Sequence, residues 1–338
     1  MTDSCTLPDF TLDDASRIAR DRYGLSGSIK PLDGERDLNF LIDTGKGKFV
    51  LKIANIEESP AMLDCQHAVF ERLGKAGVFP HIAIARQSLS GSTIEMIVGN
   101  QGMHASRVLP FIEGRMLAEV EILSPDLLTD LGYTLARLDH ALTGFTHPAL
   151  ERALLWDLSM AAETVDTYQG LLRNCRQESL VTFFRNRFCE QVLPKAGQFR
   201  RAVIHNDANR GNVVVDNDAK NVVSLIDFGD MIETWLVAEV AIAGCYVMLG
   251  KPDPLQNVAH LLRGYHAELP LLDIELDAIF DLICMRLCTS VCICAHQRRL
   301  APDNAYLSID EADAWALLEN IQDWDINAAK AYLRKACV

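Results

Sequence analysis

The chain has 338 residues, which is enough for two domains with separate hydrophobic cores. Apolar residues make up 49% and charged residues 23% of the sequence, a balance typical of folded globular proteins and unlike that of disordered chains. The formal net charge of −14, with no basic cluster to offset it, argues against nucleic-acid binding. Such a charge fits a cationic substrate, and it is also ordinary for a cytoplasmic protein.

The sequence also bears on the cellular compartment. No apolar run reaches the roughly 18 residues that cross a bilayer. The first residues, MTDSC, lack the basic and apolar start of a secretory signal. The ten cysteines form no spaced framework, so reduced thiols are the simplest interpretation. We therefore expect a cytoplasmic protein without a membrane segment.

The first third of the chain predicts a mixed antiparallel sheet with one interposed helix. Two β-type runs flank a segment that contains Gly45 and Gly47, which is typical of a hairpin. A helix is predicted to begin near Pro60 and to end at Gly74 and Gly77. The predicted strands are 38–42, 48–53, 82–84, 93–98 and 103–109.

After residue 109 the pattern becomes mainly helical. Ser124 and Pro125 are a typical N-cap and first helical residue, and an apolar stripe follows them. The predicted helices are 124–142, 152–172, 177–198, 234–249, 255–267, 273–298 and 310–335. Short β-branched runs interrupt this pattern between Ala202 and Ile226. We therefore predict a small β-rich N-lobe (1–109), a hinge (110–114) and a larger helical C-lobe (115–338).

The clearest chemical signal is His205-Asn-Asp207, followed by Asn212 and later by Asp227-Phe-Gly, with apolar strands on either side. Phosphoryl transfer needs a carboxylate to orient the acceptor hydroxyl and hard oxygen ligands for Mg²⁺. Asp207 is the candidate catalytic carboxylate, and Asn212 and Asp227 are the candidate metal ligands. Each of these residues alone is a common turn former. Their order between strands favours a catalytic site in which His205 supports the loop.

These segments resemble the catalytic and metal-binding loops of the aminoglycoside phosphotransferase superfamily. The resemblance implies an α+β, two-lobed protein-kinase-like fold. Shorter motifs are similar to those of hydroxylysine kinase-like proteins. These motifs span residues 33–40, 49–55, 107–114, 155–158 and 226–231.

By the same resemblance, the N-lobe and the hinge hold the nucleotide, ATP or GTP. Lys52, in a strand context, is expected to contact the inner phosphates. The flap segment 34–39 has a single glycine, so side chains such as Arg36 and Asn39 are candidates to assist there. Where the superfamily has a helix glutamate that pairs with the lysine, this chain has Gln66, and we expect a neutral hydrogen bond. The carbonyl of Pro110 and the amide of Ile112 are the expected contacts of the purine edge.

The acceptor site is predicted in less detail. Asp230 and Asp157 are candidates for holding an ammonium group, and Trp156 for packing against an aliphatic chain or a cation. The alternative role of Trp156 is that of a core side chain. The alternative role of Asp157 is to cap or pair within the helical lobe. Arg115 and Arg210 are candidates for a substrate carboxylate.

The sequence therefore predicts a Mg²⁺-dependent small-molecule kinase that phosphorylates a hydroxyl of a cationic amino acid or amino alcohol. The resemblance makes 5-hydroxylysine the leading acceptor. Homoserine, choline, ethanolamine and aminoglycosides are alternative acceptors that share the same catalytic loop. The alternative from outside the enzyme class is a pseudokinase that serves as a binding module. The intact Asp207, Asn212, Asp227 and Lys52 argue against it.

Overall fold

The structure is a computed structural model that describes residues 7–34, 36–300 and 310–337. These residues form two compact units. One unit contains the described residues up to Lys75 together with His81–Glu113. The other contains Ala76–Pro80 and the described residues from Gly114 onward. The two units are called the N-terminal and C-terminal units below.

The N-terminal unit is built on a five-stranded antiparallel sheet with the strand order β1-β2-β3-β5-β4. Its strands are β1 (Ser28–Leu32), β2 (Leu38–Asp43), β3 (Lys48–Ile53), β4 (Glu95–Gly99) and β5 (Gly102–Pro110). Helices α1 (Leu12–Tyr23) and α2 (Pro60–Ala76) complete it. The predicted hairpin is β2–β3, and Gly77, just after α2, has a φ of 61° that suits the end of a helix. The core packs α1 against β2, β3 and β5.

Two features of this unit differ from the sequence prediction. Helix α1 is not among the predicted elements, although Thr11 and Asp14 form a capping box at its start. The strand predicted at 82–84 is wrong. There the amide of Ile84 donates to the carbonyl of Ile82, so this segment does not pair with the sheet. Pairing begins only at Arg86, which bridges to Val108.

The C-terminal unit is mainly helical. Its helices are α3 (Pro125–Ala141), α4 (Ala161–Tyr168), α5 (Cys175–Gln191), α6 (Leu236–Met248), α7 (Pro254–Glu268), α8 (Asp273–Leu300), α9 (Glu311–Gln322) and α10 (Ile326–Lys335). Its short strands are β6 (Arg115–Met116), β7 (Arg201–Ile204), β8 (Val213–Val215), β9 (Val222–Leu225) and β10 (Ile232–Trp235). They form a sheet with the order β6-β8-β9 and an antiparallel pair of β7 with β10. The strands predicted between Ala202 and Ile226 are therefore confirmed.

Two predicted helices of this unit are shorter than expected. The helix predicted over 152–172 begins only at Ala161, because Asp157 caps a separate 3₁₀ turn, Leu158–Met160. The helix predicted over 310–335 is interrupted. Asp325 starts a new helix by accepting hydrogen bonds from the amides of Asn327 and Ala328.

Helix α8 forms the centre of the C-terminal unit. Among the described residues it is the one helix that is long and apolar enough to cross a membrane, and 94% of its most apolar stretch is buried inside the protein. Burial of this kind is typical of the core helix of a folded domain. Helices α4, α5, α6, α9 and α10 all contact α8.

Candidate active site

The loop between β7 and β8 carries the predicted catalytic aspartate, and it folds back on that side chain. The Oδ2 atom of Asp207 accepts hydrogen bonds from Nδ2 of Asn212 at 2.7 Å and from Nδ2 of Asn209 at 2.9 Å. Nδ2 of Asn212 also donates to the Asp207 carbonyl at 3.0 Å. The structure thus places the predicted catalytic and metal-binding side chains of this loop in direct contact.

The second predicted metal ligand lies beside the first because β8 and β9 pair. Val213 faces Leu225 in the ladder, and the amide of Ile226 donates to the Asn212 carbonyl at 2.9 Å. Asp227 is the next residue, and it is exposed. Its backbone is left-handed, with a φ of 59°, and its Oδ1 accepts a hydrogen bond from the Gly229 amide at 3.4 Å. The end of this hairpin therefore brings Asp207, Asn212 and Asp227 together.

The donor atoms at this end of the hairpin fit a hard cation such as Mg²⁺. Both hydrogen bonds of the Asn212 amide group to Asp207 use Nδ2, so its Oδ1 is the atom that would serve as a metal ligand. Asp227 contributes an exposed carboxylate. Amide and carboxylate oxygens are the ligands that Mg²⁺ prefers.

His205 is fully buried and both of its ring nitrogens contact the backbone. Nε2 lies 3.0 Å from the carbonyl of Ile226, and Nδ1 accepts the amide of Asp207 at 3.3 Å. Burial lowers the pKa of the imidazole to about 4, so it stays neutral near pH 7. These contacts support the predicted role of His205 in holding the loop.

The backbone of the same loop is also held by a residue that the sequence analysis does not identify. Glu239 of α6 is completely buried, and its Oε2 accepts the amide of Asn206 at 3.1 Å. The backbone of His205 is a second hydrogen-bond partner of this carboxyl group. Asn206 has a φ of 64°, an uncommon conformation that Asn tolerates better than most residues.

A second unpredicted residue, Arg286 of α8, contacts the predicted catalytic aspartate itself. Its Nη2 lies 3.4 Å from Oδ1 of Asp207. Partial burial raises the pKa of Asp207 to about 7, while the positive charge of Arg286 opposes this rise and the negative charge of Asp230 adds to it. A carboxyl group with a pKa near neutrality suits a general base that works at physiological pH.

In the N-terminal unit, Lys52 has a partner other than the predicted one. Its Nζ lies 3.8 Å from Oδ2 of Asp37, in the loop before β2. Gln66 is buried in α2, and its Oε1 accepts a hydrogen bond from Nη2 of Arg107 at 2.6 Å. Lys52 and Arg107 are paired residues of β3 and β5. Because the guanidinium of Arg107 donates to Oε1 of Gln66, this oxygen already has a hydrogen-bond partner. The hydrogen bond predicted between Gln66 and Lys52 is therefore replaced by two other pairs.

The other nucleotide candidates lie in a loop and at the end of a strand. Nδ2 of Asn39 donates to the carbonyl of Asp33 at 3.3 Å, which closes the β1–β2 loop. Arg36 is exposed in that loop, and Glu35 lies outside the described residues. After β5, the Phe111 amide donates to the Lys48 carbonyl at 3.0 Å. Because backbone groups alternate along an extended strand, the carbonyl of Pro110, the last residue of β5, points away from β3, and Ile112 lies beyond the end of the strand.

The side chains predicted to bind the acceptor substrate differ in the contacts that they already make within the protein. Asp157 is 5% exposed, and Ser159 and Thr234 donate to its two oxygens. Trp156 is half-buried, and the guanidinium of Arg286 lies 4.6 Å from the centre of its ring. Asp230 is buried within the turn Phe228–Asp230 that follows Asp227.

The two arginine candidates differ in the same way. Arg210 is paired with Asp310, with Nη2 2.6 Å from Oδ1. Arg115 donates from Nη2 to the carbonyl of Glu119 at 2.7 Å. Arg115 therefore has no carboxylate partner among the described contacts, whereas Arg210 already has one.

A surface cleft of about 450 Å³ lies beside Asp157. Arg152 lines it, and Nη2 of Arg152 donates to the carbonyls of Gly229 and Met231 at 2.5 and 2.7 Å. Arg201 and Glu233 form another part of the wall. Asp207, Asn212 and Asp227 are not among its lining residues, so this cleft adjoins the loop after Asp227 without containing the catalytic group.

Comparison with known proteins gives a consistent result. The sequence profile described as the phosphotransferase enzyme family matches residues 28–274. Hydroxylysine kinase of Mus musculus is 32% identical over an alignment 343 residues long, and the alignment covers 94% of this chain and 90% of that protein. Hydroxylysine kinase of Bos taurus is 31% identical over an alignment 346 residues long, which covers 94% of this chain and 91% of that protein.

Solved structures show the same fold at lower identity. Amicoumacin kinase in complex with AMP-PNP, Ca²⁺ and its ligand superposes with a TM-score of 0.71 at 19% identity, over 94% of this chain and 97% of that chain. The microcompartment-associated aminopropanol kinase gives 0.71 at 16% identity, over 96% and 100%. These likenesses confirm the predicted two-lobed, protein-kinase-like α+β fold. From the profile match and the identity along nearly its whole length, the chain belongs to the phosphotransferase enzyme family.

Proposed function

We propose that the protein is a small-molecule kinase that transfers the γ-phosphoryl group of a nucleoside triphosphate to a hydroxyl of an amino compound, with 5-hydroxylysine as the first acceptor to test. One observation carries this proposal: Asp207 hydrogen bonds to Asn212, and Asn212 adjoins Asp227 through the β8–β9 hairpin. A carboxylate held beside two metal-ligand side chains is what phosphoryl transfer requires of a protein. The identity to hydroxylysine kinases supports the choice of acceptor.

In this proposal Asp207 orients the acceptor hydroxyl towards the γ-phosphorus. The hydroxyl oxygen forms a bond to phosphorus, the bond from phosphorus to the β–γ bridging oxygen breaks, and the hydroxyl proton passes to the carboxylate of Asp207. Asn212 and Asp227 would hold Mg²⁺, which neutralises charge on the phosphate oxygens. His205 and Glu239 keep the loop backbone in place without touching the reactants.

For the nucleotide, we propose that Lys52 contacts the inner phosphates with Asp37 as its orienting carboxylate. Asp37 stands in for the helix glutamate of the superfamily, because among the described residues it is the carboxylate within ion-pair distance of Lys52. The carbonyl of Pro110 and the amide of Ile112 are the proposed contacts of the purine edge. A carbonyl and an amide can hydrogen bond to adenine or to guanine, so the donor is ATP or GTP. A cytoplasmic location fits this use of nucleotides.

For the acceptor, we favour Asp230 over Asp157 as the ammonium partner, because the negative charge of Asp230 lies close enough to Asp207 to raise the pKa of that carboxyl group. The oxygens of Asp157 already accept hydrogen bonds from Ser159 and Thr234. Arg115 is favoured over Arg210 for a substrate carboxylate, since Arg210 is paired with Asp310. The aminopropanol kinase likeness adds amino alcohols to the acceptors worth testing.

The test is a transfer assay with ATP and with GTP, in which nucleoside diphosphate and phosphorylated product are both measured. The acceptors are 5-hydroxylysine, lysine as the matched control without the hydroxyl, homoserine, ethanolamine, choline, 1-amino-2-propanol and an aminoglycoside. We expect transfer to 5-hydroxylysine, none to lysine, and loss of transfer when a chelator removes Mg²⁺. Transfer to another acceptor would correct the substrate, and nucleotide binding without transfer to any of them would favour the pseudokinase alternative.

A further inference from the structure

A buried arginine contacts the proposed catalytic carboxylate from a helix distant in sequence. Resting on the proposed function, we infer that Arg286 is a positioning residue that fixes the Asp207 carboxylate and leaves Oδ1 as the atom that receives the acceptor hydroxyl. Arg286 lies on α8 and is 1% exposed. It therefore acts on the substrate through the side chains that it contacts, and Asp207 is the charged one among them.

Arg286 carries a buried positive charge that needs a partner. A fully buried guanidinium is costly unless a carboxylate and hydrogen bonds compensate for its lost hydration. The carboxylate within 4 Å of this guanidinium among the described residues is Asp207, at 3.4 Å. Asp207 is partly exposed, with 22% of its side chain accessible. The pair thus joins a buried, immobile cation to a carboxylate that a substrate can reach.

Trp156 and Tyr246 hold the guanidinium of Arg286 in place. Its Nη1 donates to the carbonyl of Trp156 at 2.9 Å, and its Nη2 lies 3.3 Å from the hydroxyl of Tyr246. Its guanidinium lies over the Trp156 ring at 4.6 Å and near the Tyr246 ring at 5.7 Å. A guanidinium held by two aromatic rings and two hydrogen bonds gives a fixed direction to the carboxylate that it contacts.

The two carboxylate oxygens of Asp207 differ in their hydrogen-bond partners. A carboxylate oxygen offers about two acceptor positions. Oδ2 fills both of them, with the amide groups of Asn209 and Asn212. Among the described residues Oδ1 accepts from Arg286, which leaves one of its two positions for a further donor. The acceptor hydroxyl is therefore expected at Oδ1, and the angle of Arg286 sets where that open position points.

The experiment compares Arg286→Met, which removes the charge, with Arg286→Lys, which keeps it. Arg187→Met is the matched control, because Arg187 also forms an ion pair with a buried carboxylate of α8, Asp281, at 3.0 Å. Each variant is assayed with its nucleotide and acceptor concentrations varied, and its unfolding temperature is measured. We expect Arg286→Met to lower kcat about 100-fold, with KM for the nucleotide changed by less than about 2-fold.

Two further comparisons separate a role through Asp207 from a structural one. Arg286→Lys should recover about 10-fold of the loss, because an ammonium restores charge without the planar contacts. In an Asp207→Asn background, Arg286→Met should lower the residual kcat by less than about 2-fold, since residues that act as a unit are not additive. Arg187→Met should lower the unfolding temperature and leave kcat unchanged.

The outcomes that overturn the inference are distinct from failure of the proposed function. A folded Arg286→Met variant that loses no more kcat than Arg187→Met would assign Arg286 to stability alone. If Arg286→Met does not fold, a wild-type kcat in Arg286→Lys would have the same meaning. A full 100-fold loss in the Asp207→Asn background would show that Arg286 does not act through Asp207. If the unsubstituted protein phosphorylates no hydroxylated amine, the proposed function fails, and the role of Arg286 fails with it.

Discussion

The catalytic loop of the C-terminal unit and the β2–β3 region of the N-terminal unit hold their polar side chains in different ways. One oxygen of Asp207, Oδ2, is bound by neighbours in its own loop, Asn209 and Asn212. Lys52 pairs instead with Asp37, from a loop that precedes the neighbouring strand. Contacts within a loop are fixed by the spacing of the sequence, whereas contacts between strands, loops and helices depend on how the whole unit packs. The catalytic loop therefore follows its motif, and the lysine site departs from it.

The largest expected effect tests the catalytic side of this comparison. Asp207→Asn should lower kcat by roughly two to four decades, the usual scale for losing a positioned base, with nucleotide affinity nearly intact. The variant keeps the shape of the side chain, so nucleotide affinity measured by calorimetry reports the metal and phosphate contacts separately. An equal loss of nucleotide binding would show that Asp207 holds the nucleotide and not the hydroxyl.

The next effect concerns the support beneath the catalytic loop. Burial lowers the pKa of His205 from 6.5 to about 4, so between these values the unfolded chain binds more protons than the folded one. The stability from neutral His205 is complete above pH 6.5 and is lost as the pH falls through 4, up to about 3 kcal/mol. The free energy of unfolding of the wild type and of His205→Gln should therefore converge on acidification.

The difference in free energy of unfolding between the wild type and His205→Gln is the quantity to follow as the pH changes. Burial raises the pKa of Glu239 to about 7, which changes stability in the opposite direction over part of the same pH range. Subtracting the His205→Gln curve removes that contribution. A difference that does not depend on pH between 4 and 6.5 would mean that the folded imidazole titrates normally.

A smaller effect tests the lysine site. Asp37→Asn should lower kcat/KM for the nucleotide about 3- to 10-fold, the equivalent of about 1 kcal/mol for loss of a partly exposed ion pair. Gln66→Ala should have less effect on this parameter, because Gln66 contacts Arg107 and not Lys52. The reverse order of the two variants would restore Gln66 as the partner of Lys52 when a nucleotide is bound.

The smallest effect separates the substrate candidates. Asp157→Asn should lower the free energy of unfolding by about 1 kcal/mol, because one of two buried acceptor oxygens becomes an amide group that cannot accept, and it should leave KM for the acceptor unchanged. Asp230→Asn, the matched change, should raise KM for a cationic acceptor. An increase in KM in the Asp157 variant alone would transfer the ammonium contact to Asp157.

The same contrast explains what the sequence could predict. The hairpin and the contact between Asp207 and Asn212 follow from short spacings between apolar strands. Arg286 and Glu239 could not be found in this way, because each sits in an apolar helical run and meets the loop only after the helices pack. A charged residue inside such a run is the one signal that points to them. The strand predicted at 82–84 failed because β-branched composition does not determine whether a partner strand is present.

The left-handed backbone of Asp227 limits which residues evolution could place there. Residues with a positive φ are mostly Gly, Asn and Asp, and a side-chain oxygen is needed to bind a cation. If Asp227 holds the proposed Mg²⁺, Asp and Asn are the residues that meet both conditions with the least backbone strain. Glu, although it keeps the charge, would have to distort the chain, so a library randomised at this codon and selected for a folded, metal-binding protein should return two amino acids and reject the longer acid.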